Sequence, residues 1–213
     1  MDLYIMRHGE TDYNRSHYLQ GRKDIPLNEN GLRQAEEARL EFFTQGVSFD
    51  RVVSSPLARA YVTAEVISGK PHSEVILDPD LLEIDFGPLE GRRVEDLDDN
   101  MRNFFNDPVA YQTPDGAESY DELFARMSAF LERCRQDDTD DTVLALTHGA
   151  ALHGIYALLR ELPLERYWET AIGNCGYLVA HVENGTISLC DEQFKAQYQT
   201  LPMKSFLQPE ENG

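Results

Sequence analysis

Cations are scarce in this chain. It carries 19 lysines and arginines against 38 aspartates and glutamates, a formal charge of −19 over 213 residues. An even coat of this sign repels nucleic acid and anionic membranes, so neither is an expected partner. An anionic ligand would have to be held by a local cluster of cations against that field. No run of eighteen apolar residues occurs, so no membrane-spanning helix is expected. The apolar start at residues 3–6 is too short and too poorly flanked for a signal peptide. Cysteine is sparse as well: Cys134, Cys175 and Cys190 are odd in number and widely spaced, and fit neither a zinc pattern nor a disulfide framework. A reducing compartment is expected, most simply the cytoplasm. Repeats and low-complexity tracts are missing too.

What is present suits an ordinary globular protein: 41% hydrophobic and 27% charged residues. The length predicts one domain over residues 1–213 with a substantial core. Three short apolar runs, 3–6, 51–53 and 142–146, lack alternation and read as parallel strands buried on both faces. Helical patterns lie between them. Asn28 is placed to cap a helix running to Gly46, with Leu32, Ala35, Ala38, Phe42 and Phe43 on its apolar face. Ser55 is placed to cap a second helix with Pro56 in its first position, ended by Gly69. A third follows His148. Residues 177–182 and 186–190 read as a hairpin around Glu183-Asn184-Gly185. Strands alternating with helices predict an α/β sandwich around a mostly parallel sheet. The acidic stretch of about 92–137, helical over 121–135 and broken by Pro108 and Pro114, reads as a helical cap-like insertion. The end, about 199–213, reads as a loosely held tail.

In open α/β sheets, ligands sit beyond the carboxyl ends of the strands. The first strand ends in Arg7-His8-Gly9-Glu10, and the third in Thr147-His148-Gly149. The second leads through Ser54-Ser55-Pro56 to Arg59. Two histidines at one edge, each followed by a glycine that lets a ligand approach, point to a site. Arg59 falls in the first turn of its helix, where the macrodipole disfavours a cation unless an anion faces it. Arg7 and Arg59 would then give two guanidinium forks for a phosphate. Arg22, in a loop, is a weaker candidate. Glu83 and Asp85 in "LLEIDFGPLEGR" both suit a general acid, and spacing does not choose between them; a nearby anion would raise the acid's pKa. Together these residues suggest phosphoryl transfer through a histidine nucleophile, with no metal motif and no cofactor required.

Six segments in order resemble the histidine phosphatase superfamily, the fold of cofactor-dependent phosphoglycerate mutase. They are "RHGET" with Asn14, "LQGRKDIPLNENGLRQA", "SSPLARAYVTAE", "LLEIDFGPLEGR", "PDGAESYDEL" and "LTHGA", within roughly residues 1–182. The resemblance implies a three-layer α/β/α sandwich with a mainly parallel sheet and a helical insertion over the site. It implies His8 as the nucleophile that becomes phosphohistidine. Arg7, Arg59 and a protonated His148 would hold the phosphoryl group, and Asn14 would orient His8 or touch the phosphate. Glu83 would be acid and base, and Gln20 and Gly21 would line the substrate side.

The mutases of this family carry an acid loop of the form E-R-H-Y-G and a longer insert. This chain reads Glu83-Ile84-Asp85-Phe86-Gly87 and is shorter, so it looks more like the broad phosphatase branch, α-ribazole phosphatase-like enzymes included. The leading expectation is a metal-independent, histidine acid phosphatase-type hydrolase of small phosphomonoesters. A phosphoglycerate mutase and a non-catalytic phosphate-binding module are the alternatives. Phe86, Phe104, Phe105 and Tyr111 are candidates for an aromatic substrate wall. A homodimer is the assembly suggested by the common prior for soluble enzymes.

Overall fold

The structure, a computed structural model, describes residues 1–137 and 139–195. The tail expected from about residue 199 lies outside the described residues. A single sheet of six strands has the order β3-β2-β4-β1-β5-β6. Its strands are β1 (Asp2–Arg7), β2 (Arg51–Ser54), β3 (Val75–Leu77), β4 (Thr142–Thr147), β5 (Tyr177–Glu183) and β6 (Thr186–Gln193). The first four run parallel, while β5 pairs antiparallel with β1 and β6 antiparallel with β5. The helices are α1 (Asp12–Arg15), α2 (Glu29–Thr44), α3 (Ala58–Ser68), α4 (Asp99–Asn106), α5 (Tyr120–Arg135) and α6 (Gly149–Arg160).

Strand alternation explains the layers. Leu3 and Ile5 of β1, with Val143 and Ala145 of β4, face a core shared with α5 and α6. Met6, Leu144 and Leu146 face the opposite core, built on Ala35, Ala38 and Phe42 of α2 and Ala60 and Ala64 of α3. Both faces of the central strands are therefore covered, which is why their sequences read as unbroken apolar runs. The result is the α/β/α sandwich expected from the sequence. Two regions of the expected insertion, α4 and α5, carry Met101, Phe104, Leu123 and Met127 into the α6-side core. The β5–β6 hairpin turns on Asn184 and Gly185, both at positive φ, as a tight hairpin of this twist demands.

Two local expectations need correction. Leu32 and Phe43 are 42% and 80% exposed. The buried stripe of α2 is Gly31, Ala35, Ala38 and Phe42, so each of the two lies one residue, about 100°, off the stripe. Ser55 does not cap α3: the cap is Leu57, without a side-chain bond, and α3 starts two residues after Pro56. Strand β3 was not anticipated. It is three residues long with only Val75 buried, so it carries almost no apolar signal. Asn28 caps α2 as expected, its side chain accepting from the Gly31 N–H at 2.8 Å, an interaction typically worth about 1 kcal/mol.

Candidate active site

Adjacent parallel strands deliver the two histidines side by side. Arg7 of β1 is in register with Thr147 of β4, so His8 and His148 leave the sheet together. Their ring centroids stand 5.1 Å apart. The His8 N–H of the backbone donates to Thr147 O at 3.0 Å, and Asn174 Nδ2 donates to His8 O at 2.9 Å. The imidazole Nδ1 of His8 lies 2.6 Å from Gly9 O. That carbonyl accepts only, so Nδ1 carries the proton and Nε2 keeps a lone pair. Burial first, then Arg59 and Arg7, holds the His8 pKa well below the usual imidazole value. A neutral ring with a fixed Nε2 lone pair is what a nitrogen nucleophile requires.

Arg59 is fully buried beneath both rings. Its Nε donates to His8 Nε2 at 3.2 Å and to His148 Nδ1 at 3.1 Å. Its two amino groups donate to Lys23 O at 2.6 Å and Gly21 O at 2.7 Å. Burial lowers its pKa to about 10, against the pull of Glu83, Asp24 and Glu90, so it stays cationic near neutrality. Gly21 meets Arg59 through its carbonyl and holds a φ of +53°, which glycine adopts freely. Arg7 donates from Nη1 to Ile172 O at 2.6 Å, and its buried Nε has no partner in the protein, a donor suited to an anion.

His148 differs from its expected charge state. Its Nδ1 accepts from Arg59, so the proton sits on Nε2, which donates to Ser55 Oγ at 2.7 Å. Burial, then Arg59 and His8, depresses its pKa far below the usual value, so the ring is neutral in this arrangement. Ser55 had looked like a helix cap; its place beside His148 leaves no mark in the local sequence. The glycines also divide. A Cβ on Gly9 would lie 2.5 Å from Gly31 O, so Gly9 serves the close approach of α2 and not ligand access. A Cβ on Gly149 would sit 3.5 Å from Glu83 Oε2 and 3.6 Å from the Arg7 guanidinium, so this glycine does face the site.

The two carboxylates left open by spacing are separated by the fold. Glu83 accepts from the backbone N–H groups of Ala150 and Ala151, both at 3.1 Å, at the N-terminus of α6. Helix start and strand-borne arginine thus converge on one carboxylate beside the phosphoryl-binding groups. Asp85 instead accepts from Gly87 N at 2.7 Å and pairs with Arg22 at 3.5 Å. Arg22 also meets Glu118 at 3.4 Å. Arg126, which sequence reasoning missed, pairs with Glu118 at 2.6 Å and donates to Asp80 O and Leu82 O, fixing the loop that presents Glu83.

Asn14 and Gln20 sit at one remove. Asn14 Oδ1 accepts from Thr11 N at 3.1 Å, closing the capping box of α1, and lies 3.5 Å from Asn174 Nδ2. It steadies His8 through the turn and Asn174, with no bond to the ring. Gln20 Oε1 accepts from Thr11 Oγ1 at 2.9 Å. Both line a cavity of about 980 Å³ that also reaches Arg7, Glu83, Gly21 and Gly149. Phe86, Phe104 and Phe105 border it, whereas Tyr111 meets Phe104 edge-on and does not line it. Among the described residues, no three of His, Cys, Asp and Glu gather as a metal site would require, and no helix is long and apolar enough to cross a membrane.

Known proteins resemble this chain over most of its length. Phosphoserine phosphatase 1 of Hydrogenobacter thermophilus is 31% identical over 187 residues, 85% of this chain and 86% of that protein. A probable phosphoglycerate mutase, GpmB, of Enterobacter sp. is 33% identical over 179 residues, 82% of each chain. The crystal structure of a phosphoserine phosphatase from Entamoeba histolytica, in complex with 3-phosphoglyceric acid, superposes with a TM-score of 0.77. It is 30% identical and covers 90% of this chain and 96% of that one. The sequence model for the histidine phosphatase superfamily (branch 1) matches residues 3–191, and the chain belongs to that family.

Proposed function

We propose that the protein is a phosphomonoester phosphatase that works through a phosphohistidine on His8. The observation that carries this reading is the His8 ring: buried, neutral, its Nδ1 proton held by Gly9 O and its Nε2 turned toward Arg59 and His148. Nε2 attacks phosphorus, and the phosphorus–oxygen bond to the alcohol breaks. Arg7, through its unpartnered Nε, orients the equatorial oxygens, and the Arg7 and Arg59 cations neutralise their charge beside the neutral His148–Ser55 pair. Glu83 gives its proton to the departing alcohol oxygen. It then takes a proton from the water that attacks the phosphohistidine, and inorganic phosphate leaves. The step needs no metal in this scheme, so excess chelator should leave turnover intact; loss restored by a divalent cation would contradict it.

The names of relatives include both phosphatases and mutases. Phosphatase is favoured here by the cavity of about 980 Å³, which leaves room for water beside a small ester, whereas a mutase must shield its phosphoenzyme from water. The acid loop Glu83-Ile84-Asp85-Phe86-Gly87 supports the same choice. An acid-phosphatase subtype is also part of the proposal, because the depressed His8 pKa keeps the nucleophile neutral in mild acid. Incubation with 3-phosphoglycerate separates the two activities. Net release of inorganic phosphate is expected of a phosphatase; isomer interconversion without release would identify a mutase.

A further inference from the structure

The cavity has two unlike ends, and Glu83 decides which of them receives the alcohol part of the substrate. One end carries Glu10, Glu37 and Glu41, with Arg33 near Glu37 at 3.6 Å and Lys195 paired with Glu41. The other carries Leu19, Phe86, Val94, Phe105 and Trp168, backed by the fully buried Phe104. Glu83 belongs to this second end. Phe86 lies three residues beyond it on the same loop. The helix turn that binds its carboxylate, Gly149–Ala150, continues to His153, which lines the cavity one turn further on. His153 packs on Trp168 with ring centroids 4.5 Å apart.

Trp168 is fixed as a wall by its indole N–H, which lies 2.7 Å from Phe104 O and 2.8 Å from the Tyr120 hydroxyl. The oxygen that Glu83 protonates is the first atom of the leaving alcohol. The body of that alcohol therefore extends from Glu83 along the apolar wall. Among the described residues, no lysine or arginine lines this end except Arg7, which faces the phosphoryl position. Arg22, the nearest alternative in sequence, is held between Asp85 and Glu118. A carboxylate on the alcohol would thus be desolvated against aromatic rings with no lysine or further arginine to pair with. An uncharged ring would gain contact with Trp168, Phe86 and Phe105.

We propose that this site selects phosphomonoesters of uncharged, ring-bearing alcohols over esters whose alcohol carries a carboxylate. The inference rests on the phosphatase reading for its placement of Glu83, but it is testable without turnover. Titration calorimetry of the full chain would compare benzylphosphonate with 2-carboxyethylphosphonate, neither of which can be hydrolysed. Benzylphosphonate is expected to bind at least tenfold more tightly, and Trp168→Leu is expected to shrink that ratio. Equal affinities, a preference for the carboxylate, or a ratio indifferent to Trp168→Leu would overturn the proposal. Phosphate release from benzyl phosphate, phosphoserine and 3-phosphoglycerate, measured separately, tests the phosphatase reading. Release from none of them would defeat that reading while the phosphonate ratio still decides the specificity.

Discussion

The phosphate end of the site and the alcohol end of the cavity beside it are built on different principles. At the phosphate end, His8 and His148 leave adjacent parallel strands, and Arg59 ties them together from below. The imidazoles and Arg59 there are held in fixed directions by sheet register, by backbone carbonyls and by Ser55, and Arg7 Nε alone among the atoms named is left for a ligand. At the alcohol end, Phe86 comes from a loop, Phe105 from α4 and Trp168 from the segment after α6. Those walls need only shape and apolarity, so many sequences satisfy them. A fold can therefore keep one chemistry and vary the alcohol it accepts.

That contrast predicts graded effects. His8→Ala removes the nucleophile, and turnover of an aryl phosphate should fall by about 10⁴-fold or more, read by steady-state phosphate release. Turnover close to wild type would end the nucleophile assignment. Glu83→Gln stands at the junction of the two ends. Alkyl esters should lose about 10³-fold and aryl esters about tenfold, because good leaving groups need little protonation. Equal losses for both would argue against an acid role.

Acid should weaken the fold through the phosphate end and its neighbour His153. Burial pushes the pKa of His153 down to about 4, against its contacts with Gly149 O and Thr170 O, and depresses His8 and His148 as well. Above about pH 6.5 neither folded nor unfolded chain binds these protons. Below it the unfolded chain does and the folded chain resists, so stability falls as pH drops. Urea denaturation from about pH 6.5 down to about 4 checks this; a flat stability profile would show that the histidines are not held neutral. Ser55→Ala removes the partner of His148 Nε2, together with a long 3.4 Å bond from the Leu57 N–H, and should lower kcat about tenfold. Asp85→Asn, two residues from Glu83 but turned toward Arg22, should change kcat/KM by less than about threefold on either ester type. A loss matching Glu83→Gln would undo the assignment of the acid.

Much of the phosphate end was legible because its signals are local. Arg7-His8-Gly9 and Thr147-His148-Gly149 each follow an apolar run, and Arg59 follows a strand and a proline. Glu83 could not be separated from Asp85 by spacing, since the choice depends on α6 folding back to offer Ala150 and Ala151. Ser55, Asn174 and Arg126 act through contacts 93, 166 and 44 to 46 residues away in sequence, which no local pattern records. Gly9 was legible as a glycine needing close approach, but its neighbour is Gly31 and not the ligand. Trp168 gave no warning of its place in the wall, because aromatic residues serve core and cavity alike.

The central claim is a covalent phosphohistidine on His8, and stereochemistry at phosphorus tests it most directly. Hydrolysis of a thiophosphate monoester made chiral by sulfur and two oxygen isotopes, in water carrying the third isotope, releases chiral inorganic thiophosphate and should proceed with overall retention, because attack by His8 and then by water inverts phosphorus twice. Overall inversion would mean a single direct displacement by water, and the account built on His8 would be wrong.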